Sequence, residues 1–235
     1  MPITVATWNM QGGINFPGVS QLSHTFGSPN VICLQETGDL ESRMTDVQDL
    51  PHPPHAAGSR IGNIRVGRHT GTCIYWPNDA ETRLGVAIIC MVPDQLVGRG
   101  VQTPSPAARI APRYPRGLPW VEVRDPGSGR SIRIYSIHAP SAGAARASNW
   151  SNAQITGVSN QSDLWAVVGD FNADPDDHRT EEPVEGVWVS SPNATQQSGN
   201  TLDYLIANTR SVRIVPATGL PMSDHFPEAF IIHLV

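Results

Sequence analysis

Lysine is missing from all 235 positions, so the 16 basic residues are all arginine. A chain of this length and ordinary composition would carry on the order of a dozen lysines. Two causes fit. A GC-rich genome is the simpler, and it also suits 21 glycines and 21 prolines. The other is removal of ubiquitin acceptors, as in proteins delivered into a eukaryotic cytosol, because lysine is the ubiquitination target. Cysteine is scarce too. Cys33, Cys73 and Cys90 each lie in an apolar, strand-like run, the usual place of buried free thiols. An odd count argues against a disulfide framework, and the lack of CxxC spacing argues against a zinc site. No apolar stretch approaches the roughly 18 residues of a membrane span. No basic region precedes an apolar one at the N-terminus, so any signal peptide is expected to be absent or already removed.

What is present supports one sizeable core. Hydrophobic residues make up 39% of the chain, and no linker, charge run or repeat divides it, so a single domain over 1–235 is expected. A net charge of -5 excludes nucleic-acid binding by bulk charge. The charges are unevenly placed, however. Pro51 to Asn78 holds no acid but has Arg60, Arg65 and Arg68. Arg99 to Arg116 again holds none, with Arg109 and Arg113 between them. Two such segments could line one phosphate-binding face, or be solvated loop surface.

Periodicity predicts strands at 3–9, 31–34, 61–66, 72–76, 85–91, 120–123, 132–137, 164–168, 186–190, 201–206, 212–215 and 229–234. Helices are expected at 17–27 and, better formed, at 142–160, with one or two helical turns in 41–50. Residues 93–119 are rich in proline and glycine and read as a long irregular loop. Asp125-Pro126-Gly127-Ser128-Gly129 marks a hairpin.

Polar groups recur at one kind of place, the end of an apolar strand. They are Asn9, Glu36, His138, Asp170, Asn172 and the pair Asp224-His225, with Asp203 inside a further strand. Asp170 and Asn172 follow the buried run Leu164 to Val168 and the hinge Gly169. Two residues apart, they point to one side of an extended backbone. Burying so many polar and ionisable groups without partners would be costly. Gathering them at one sheet edge is how a catalytic or metal site is built. The oxygen-rich set Glu36, Asp170, Asn172, Asp224 and Asn9 suits Mg²⁺ or Ca²⁺ better than zinc. His225 could take a proton from an attacking water if Asp203 held its other nitrogen. His138 could protonate a leaving oxygen or hold a non-bridging phosphate oxygen.

Six ordered blocks carry a resemblance: Trp8-Asn9, Gln35-Glu36, Ser136-Ile137-His138-Ala139, Gly169-Asp170-Phe171-Asn172, Leu202-Asp203-Tyr204 and Ser223-Asp224-His225-Phe226-Pro227. Together they resemble the deoxyribonuclease I-like endonuclease/exonuclease/phosphatase superfamily. Val5 to Gly12 and Ser198 to Tyr204 are similar to the catalytic B subunits of cytolethal distending toxins within it. The resemblance implies an α/β four-layer sandwich of two packed mixed β-sheets flanked by helices. It implies a divalent cation, Mg²⁺ with Ca²⁺ or Mn²⁺ as substitutes, held by Glu36 with Asn9 and Asp224. Asp170 and Asn172 would orient the water and the phosphate. His225 with Asp203 would be the base, and His138 would act on the phosphate or leaving group. It further implies a DNA-nicking genotoxin-type effector that is secreted or delivered into a host cell, acts in its nucleus, and depends on carrier subunits not visible in this chain. One departure blurs this. Where deoxyribonuclease orients the histidine matching His138 with a carboxylate, this chain reads Thr82-Arg83-Leu84-Gly85. Arg83 could bind a phosphate bidentately, which brings in a phosphoinositide phosphatase as the alternative. Arg116, with Arg113 and Arg109 as rivals, matches the toxin's phosphate-binding arginine. A non-enzymatic binding module on the same fold is the third reading.

Overall fold

The computed structural model describes residues 1–50, 58–77, 84–103, 116–141, 143–178, 186–215 and 223–234. Arg83, Arg109 and Arg113 lie outside them. Strands β1 (Ile3–Asn9), β2 (Val31–Gln35), β3 (Met44–Asp49), β4 (Arg60–Val66), β5 (His69–Trp76), β6 (Val86–Cys90), β13 (Val212–Val215) and β14 (Glu228–Ile232) form one mixed sheet, ordered β13-β14-β1-β2-β6-β5-β4-β3. Strands β7 (Leu96–Gln102), β8 (Leu118–Arg124), β9 (Ser131–His138), β10 (Trp165–Asp170), β11 (Val187–Ser190) and β12 (Asp203–Ala207) form the other, ordered β11-β12-β10-β9-β8-β7.

The two sheets pack face to face through Val5, Ile134, Val168, Leu205 and Phe230. Helix α1 (Phe16–Thr25) buries Val19 and Leu22 against Trp8, Ile32 and Leu34 on the outer face of the first sheet. Helix α2 (Ala144–Ser159) buries Trp150, Ile155 and Val158 against Tyr135, Val167 and Ile206 on the outer face of the second. The result is the expected helix–sheet–sheet–helix order. Full burial of each such apolar side chain contributes about 1.5–3 kcal/mol.

The inner faces change character along the strands. Alternation puts Ile3, Val5, Thr7 and Asn9 on one face of β1, with Ile132, Ile134, Ser136 and His138 on β9 and Ala166, Val168 and Asp170 on β10. On the oppositely running β12 and β14 the order reverses, from Asp203 to Leu205 and Ala207 and from Glu228 to Phe230 and Ile232. Every one of these strands is apolar at one end of the sandwich and polar at the other.

Two edge strands were not expected. Residues 41–50 hold the expected helical turn, a 3₁₀ turn at Glu41–Arg43, and then the edge strand β3, whose ladder to β4 carries a bulge between Thr45 and Gln48. The glycine-rich run at 96–102 is not loop but the edge strand β7. Its Gly98 and Gly100 lie against the Trp120 ring, and a Cβ at Gly100 would come within 2.8 Å of it.

Candidate active site

Register gathers the site. His138, Asp170 and Asp203 lie abreast on β9, β10 and β12, since Asp170 pairs with His138 on one side and with Asp203 on the other. Asn9 lies abreast of Gln35 in the facing sheet, with Glu36 one residue further on. Gly169 is required by a close approach rather than by a turn. Its φ is 148°, and a Cβ there would sit 2.1 Å from the carbonyl oxygen of Ile137. Glycine alone lets β9 and β10 close up immediately before Asp170. Glu36 and Asn172 both have a φ of 49°. Asparagine tolerates this left-handed conformation better than most residues; a glutamate held there is a strained position of the kind that clusters at functional sites.

Hydrogen bonds then lock the side chains. The Asn9 amide nitrogen donates to Asp170 Oδ2 at 2.9 Å and to Glu36 Oε1 at 3.3 Å, tying the two sheets together. Asn172 donates its backbone N–H to Asp170 Oδ1 at 2.8 Å and its amide to the Ala139 carbonyl at 2.8 Å. His225 Nδ1 lies 2.7 Å from Asp203 Oδ2, and its Nε2 lies 4.0 Å from Asp170 Oδ2. His138 Nε2 is 3.7 Å from Asp170 Oδ2 and 3.9 Å from Glu36 Oε1. Below them Gln35 donates to Ser136 Oγ at 3.2 Å, a second bond between the sheets.

The segment bearing His225 has its own supports. The Trp8 indole N–H donates to Ser223 Oγ at 3.1 Å, and Ser223 Oγ donates to the Asn9 carbonyl at 2.9 Å. Phe226 N–H donates to the Thr195 carbonyl at 2.7 Å, and Thr195 Oγ1 accepts the N–H of Asp203 at 2.9 Å. Gln196 brings its amide nitrogen to 3.4 Å from His225 Nε2. Thr195 and Gln196 escaped the sequence reading. They sit in a polar stretch without periodicity, and only the tertiary bridge between Gln196 and His225 reveals them.

Electrostatics separate the two histidines. Burial, with Arg116 and His225 nearby, holds His138 well below the usual imidazole value, so its ring is neutral at pH 7. Burial also disfavours a charged His225. The charge and hydrogen bond of Asp203, backed by Asp170 and Asp224, prevail and raise it to about 9. Burial and the neighbouring Asp203 charge push Asp170 up to about 7. A carboxyl that titrates near neutrality beside an imidazole held above it is equipment for acid–base chemistry.

Seven expected residues therefore meet: Asn9, Glu36, His138, Asp170, Asn172, Asp203 and His225. Asp224, half-buried, precedes His225 at the same mouth. Arg116 is placed differently from expectation. It is buried beneath the site, with Nη1 donating to the carbonyls of His138 (3.0 Å) and Ala139 (2.6 Å). From there it supports the floor of the site and biases His138. Arg65 and Arg68 also depart from a shared phosphate-binding face. Arg65 lies near the end of β4 and Arg68 in the turn to β5, at the end of the sandwich opposite the site. Arg60 is at the near end but is paired with Asp49 at 2.7 Å and Glu41 at 3.3 Å.

The donors suit a hard cation. Glu36, Asp224 and Asp170 offer carboxylate oxygens, the ligands a hard cation prefers. A ligand role for Asn9 needs its amide to turn, because its nitrogen rather than its oxygen faces Glu36 and Asp170. Asp170, Asp203 and His225 also present three potential ligand atoms within 4.8 Å of one another. His225 Nδ1 and Asp203 Oδ2 are already bonded to each other at 2.7 Å, so that trio reads as an acid–base group.

A two-sheet sandwich whose polar ends converge on a carboxylate-rich, histidine-containing mouth is equipped for acid–base and metal-assisted chemistry. The chain belongs to the Endonuclease/Exonuclease/phosphatase family, whose model matches residues 6–225. No curated protein matches the sequence. Among solved structures, the Haemophilus ducreyi cytolethal distending toxin is similar, with a TM-score of 0.73 at 21% identity over 98% of both chains. The Actinobacillus actinomycetemcomitans cytolethal distending toxin gives a TM-score of 0.73 at 21% identity over 98% of this chain and 97% of that one. The human Nocturnin catalytic domain gives 0.64 at 16% identity over 99% and 94%. At such identities these likenesses speak for the fold.

Proposed function

We propose that this protein is a divalent-metal-dependent phosphodiesterase that nicks DNA. The observation that carries this reading is the His225–Asp203 pair at 2.7 Å, set abreast of Asp170 and joined to Glu36 through Asn9. His225, its Nδ1 held by Asp203, takes the proton of the attacking water at Nε2. Asp170 and Asn172, fixed to each other and to Ala139, orient that water and the phosphate. His138, neutral, donates its Nε2–H to a phosphate oxygen. Glu36 and Asp224 would hold Mg²⁺, or Mn²⁺ or Ca²⁺ in its place, which supplies positive charge to the phosphoryl oxygens and draws protons off its neighbours. DNA is favoured because Gln102 and Arg116, between which Arg109 and Arg113 fall in the sequence, lie at the site end of β7 and β8.

The likeness to the toxin structures and the lysine-free sequence support delivery into a host cell, with partner subunits supplied by other chains. Supercoiled-plasmid nicking tests the activity. Wild type nicks with Mg²⁺ and stops with EDTA, and His225→Ala loses on the order of 10²–10⁴ in rate. Absence of Mg²⁺-dependent nicking, or unchanged nicking in His225→Ala, refutes it. Arg116 Nη1 donates to the carbonyls of His138 and Ala139, and this favours a second reading on the same site. Phosphate release from a soluble phosphatidylinositol trisphosphate without DNA cleavage would establish a phosphoinositide phosphatase instead.

A further inference from the structure

Two aromatic residues of the ordered blocks, Phe171 and Tyr204, take no part in the chemistry above. Each follows a carboxylate of the site, Asp170 or Asp203, and alternation turns its ring to the outer face of the second sheet. Both rings are fully buried there, among Trp150, Ile155 and Ile206. They stack on each other with centroids 4.0 Å apart and planes 7° from parallel. Register explains the pairing. Tyr204 lies directly across from Gly169, which offers no side chain, so its ring meets the diagonal neighbour, Phe171. His178, at the end of the short helix α3 (Pro175–His178), closes the cluster edge-on. Its ring stands at 86° to Phe171 and 79° to Tyr204, with centroids 5.9 and 6.0 Å away, and its Nδ1 lies 3.2 Å from Asn152 Oδ1 on α2. Stacked and edge-to-face contacts of this kind fix ring orientation as well as burying area.

The stack sits where the ladder ends. The last paired positions of β10 and β12 are Asp170 and Asp203, and the chain then turns through Asn172, whose φ is 49°. Phe171 donates its N–H to the Leu202 carbonyl at 2.8 Å, and the Tyr204 hydroxyl donates to the Ala173 carbonyl at 3.2 Å. Tyr204 thus holds the turn at two points, by its ring at Phe171 and by its hydroxyl at Ala173, with Asn172 between them. We propose that Phe171 and Tyr204 are positioning residues, a stacked pair that locks the turn bearing Asp170 and Asn172 to the strand bearing Asp203. The groups that orient water and phosphate are thereby fixed against the base. A shift of about one ångström between such groups costs on the order of 10² in rate. The kinetic consequence rests on the phosphodiesterase reading; the structural one does not.

Phe171→Leu, Tyr204→Leu and Tyr204→Phe in the full chain test the lock. The leucines keep an apolar side chain and lose the stack, whereas the phenylalanine keeps the stack and loses one hydrogen bond. Each leucine variant is expected to lower kcat for nicking about tenfold with KM within about twofold, and Tyr204→Phe to stay within about threefold of wild type. The double leucine variant should be no more than about twofold slower than the slower single one, since the pair acts as a unit. Hydrogen exchange reads the same lock without activity. In wild type the amides of Phe171 and Asn172, bonded to the Leu202 carbonyl and to Asp170 Oδ1, should be protected to within about tenfold of each other, because the turn opens only with the strands. In Phe171→Leu the Asn172 amide should lose about tenfold or more in protection while the amides of β2 keep theirs. Wild-type kcat in Phe171→Leu overturns the proposal, and so does a Tyr204→Phe variant as slow as Tyr204→Leu. A wild-type Asn172 amide protected more than about tenfold less than that of Phe171 also overturns it, and this result stands even if the leucine variants fail to fold. If wild-type protein cleaves no phosphodiester, the function falls, while the exchange measurements still decide the stack.

Discussion

Replacing Asp203 with asparagine isolates charge from shape at the centre of the site. The side chain is fully buried, and its Oδ2 lies 2.7 Å from His225 Nδ1. The amide fills the same space, and the Thr195 hydroxyl still accepts the backbone N–H of residue 203. What changes is His225. Asp203 is the chief influence raising its pKa to about 9, against the opposing pull of burial. Without that charge the ring should titrate at or below its usual value of about 6.5, a fall of more than two units, or about 3 kcal/mol of lost preference for the protonated ring. The transition state needs that preference, because the ring gains the water's proton there. Above about pH 9, where the wild-type ring is unprotonated, about 3 kcal/mol corresponds to at most roughly 10² in rate, and at lower pH the larger unprotonated fraction of the variant's ring offsets part of that loss. The amide can also donate to Nδ1, which places the ring proton on Nε2, the nitrogen meant to be bare, and the loss then extends toward 10⁴. The assay is single-turnover plasmid nicking with Mg²⁺ between pH 6 and 9, beside NMR titration of the His225 ring. The double variant with His225→Ala should be no slower than His225→Ala alone, since the two groups act as a unit. A loss under about fivefold at every pH, or a His225 midpoint that stays near 9, refutes the reasoning.

Two further outcomes follow from the same groups. In metal-free protein, stability should fall as pH rises from about 6 to 9.5. The folded pKa values of Asp170 (about 7), Glu228 (about 8) and His225 (about 9) all lie above the ordinary 3.8, 4.5 and 6.5. Each contribution is full below the ordinary value and is lost as pH climbs through the raised one, a combined loss on the order of a few kcal/mol. Urea unfolding at pH 6, 7.5 and 9 measures it, and a flat or rising curve contradicts it. Gly169→Ala should cost about 3 kcal/mol or more, because its Cβ would lie 2.1 Å from the Ile137 carbonyl oxygen. An unchanged thermal midpoint would show that β9 and β10 can part without loss.

The strands that carry chemistry were legible because their alternation ends in a polar residue. Asn9, His138 and Asp170 each close an apolar run, and the eye meets the change of character in one dimension. Edge strands were not legible. Thr45 to Asp49 is exposed at four of its five positions and looks like any polar stretch; only the ladder to β4 makes it a strand. Leu96 to Gln102 carries two glycines that composition assigns to a loop, whereas the Trp120 ring they accommodate belongs to a strand some 20 residues further on. The arginines misled for a related reason. Arg60, Arg65 and Arg68 are close in sequence, but a strand seven residues long separates Arg60 at one end of the sandwich from the turn at the other. Charge clustering along a chain predicts a shared surface only where the chain does not cross a sheet.

The apolar-to-polar gradient on the inner faces explains why the site sits where it does. Packing two sheets fixes a slab whose middle must be dry, so each strand contributes Val5, Ile134, Val168, Leu205 or Phe230 there. One step toward the mouth the same faces supply Thr7, Gln35, Ser136 and Glu228, which are buried yet polar. Burial without water makes every bond in this layer count. The Gln35–Ser136 bond at 3.2 Å and the Asn9–Asp170 bond at 2.9 Å act as cross-ties at successive depths. Acid–base groups can be held to a few tenths of an ångström only if the sheets bearing them cannot slide, and apolar contacts alone are not directional enough to prevent that. The polar layer is thus the part of the core that converts a sandwich into a scaffold for catalysis. Its substitution by apolar residues should leave the fold standing while loosening the distance between Asp170 and Glu36 on which the chemistry depends.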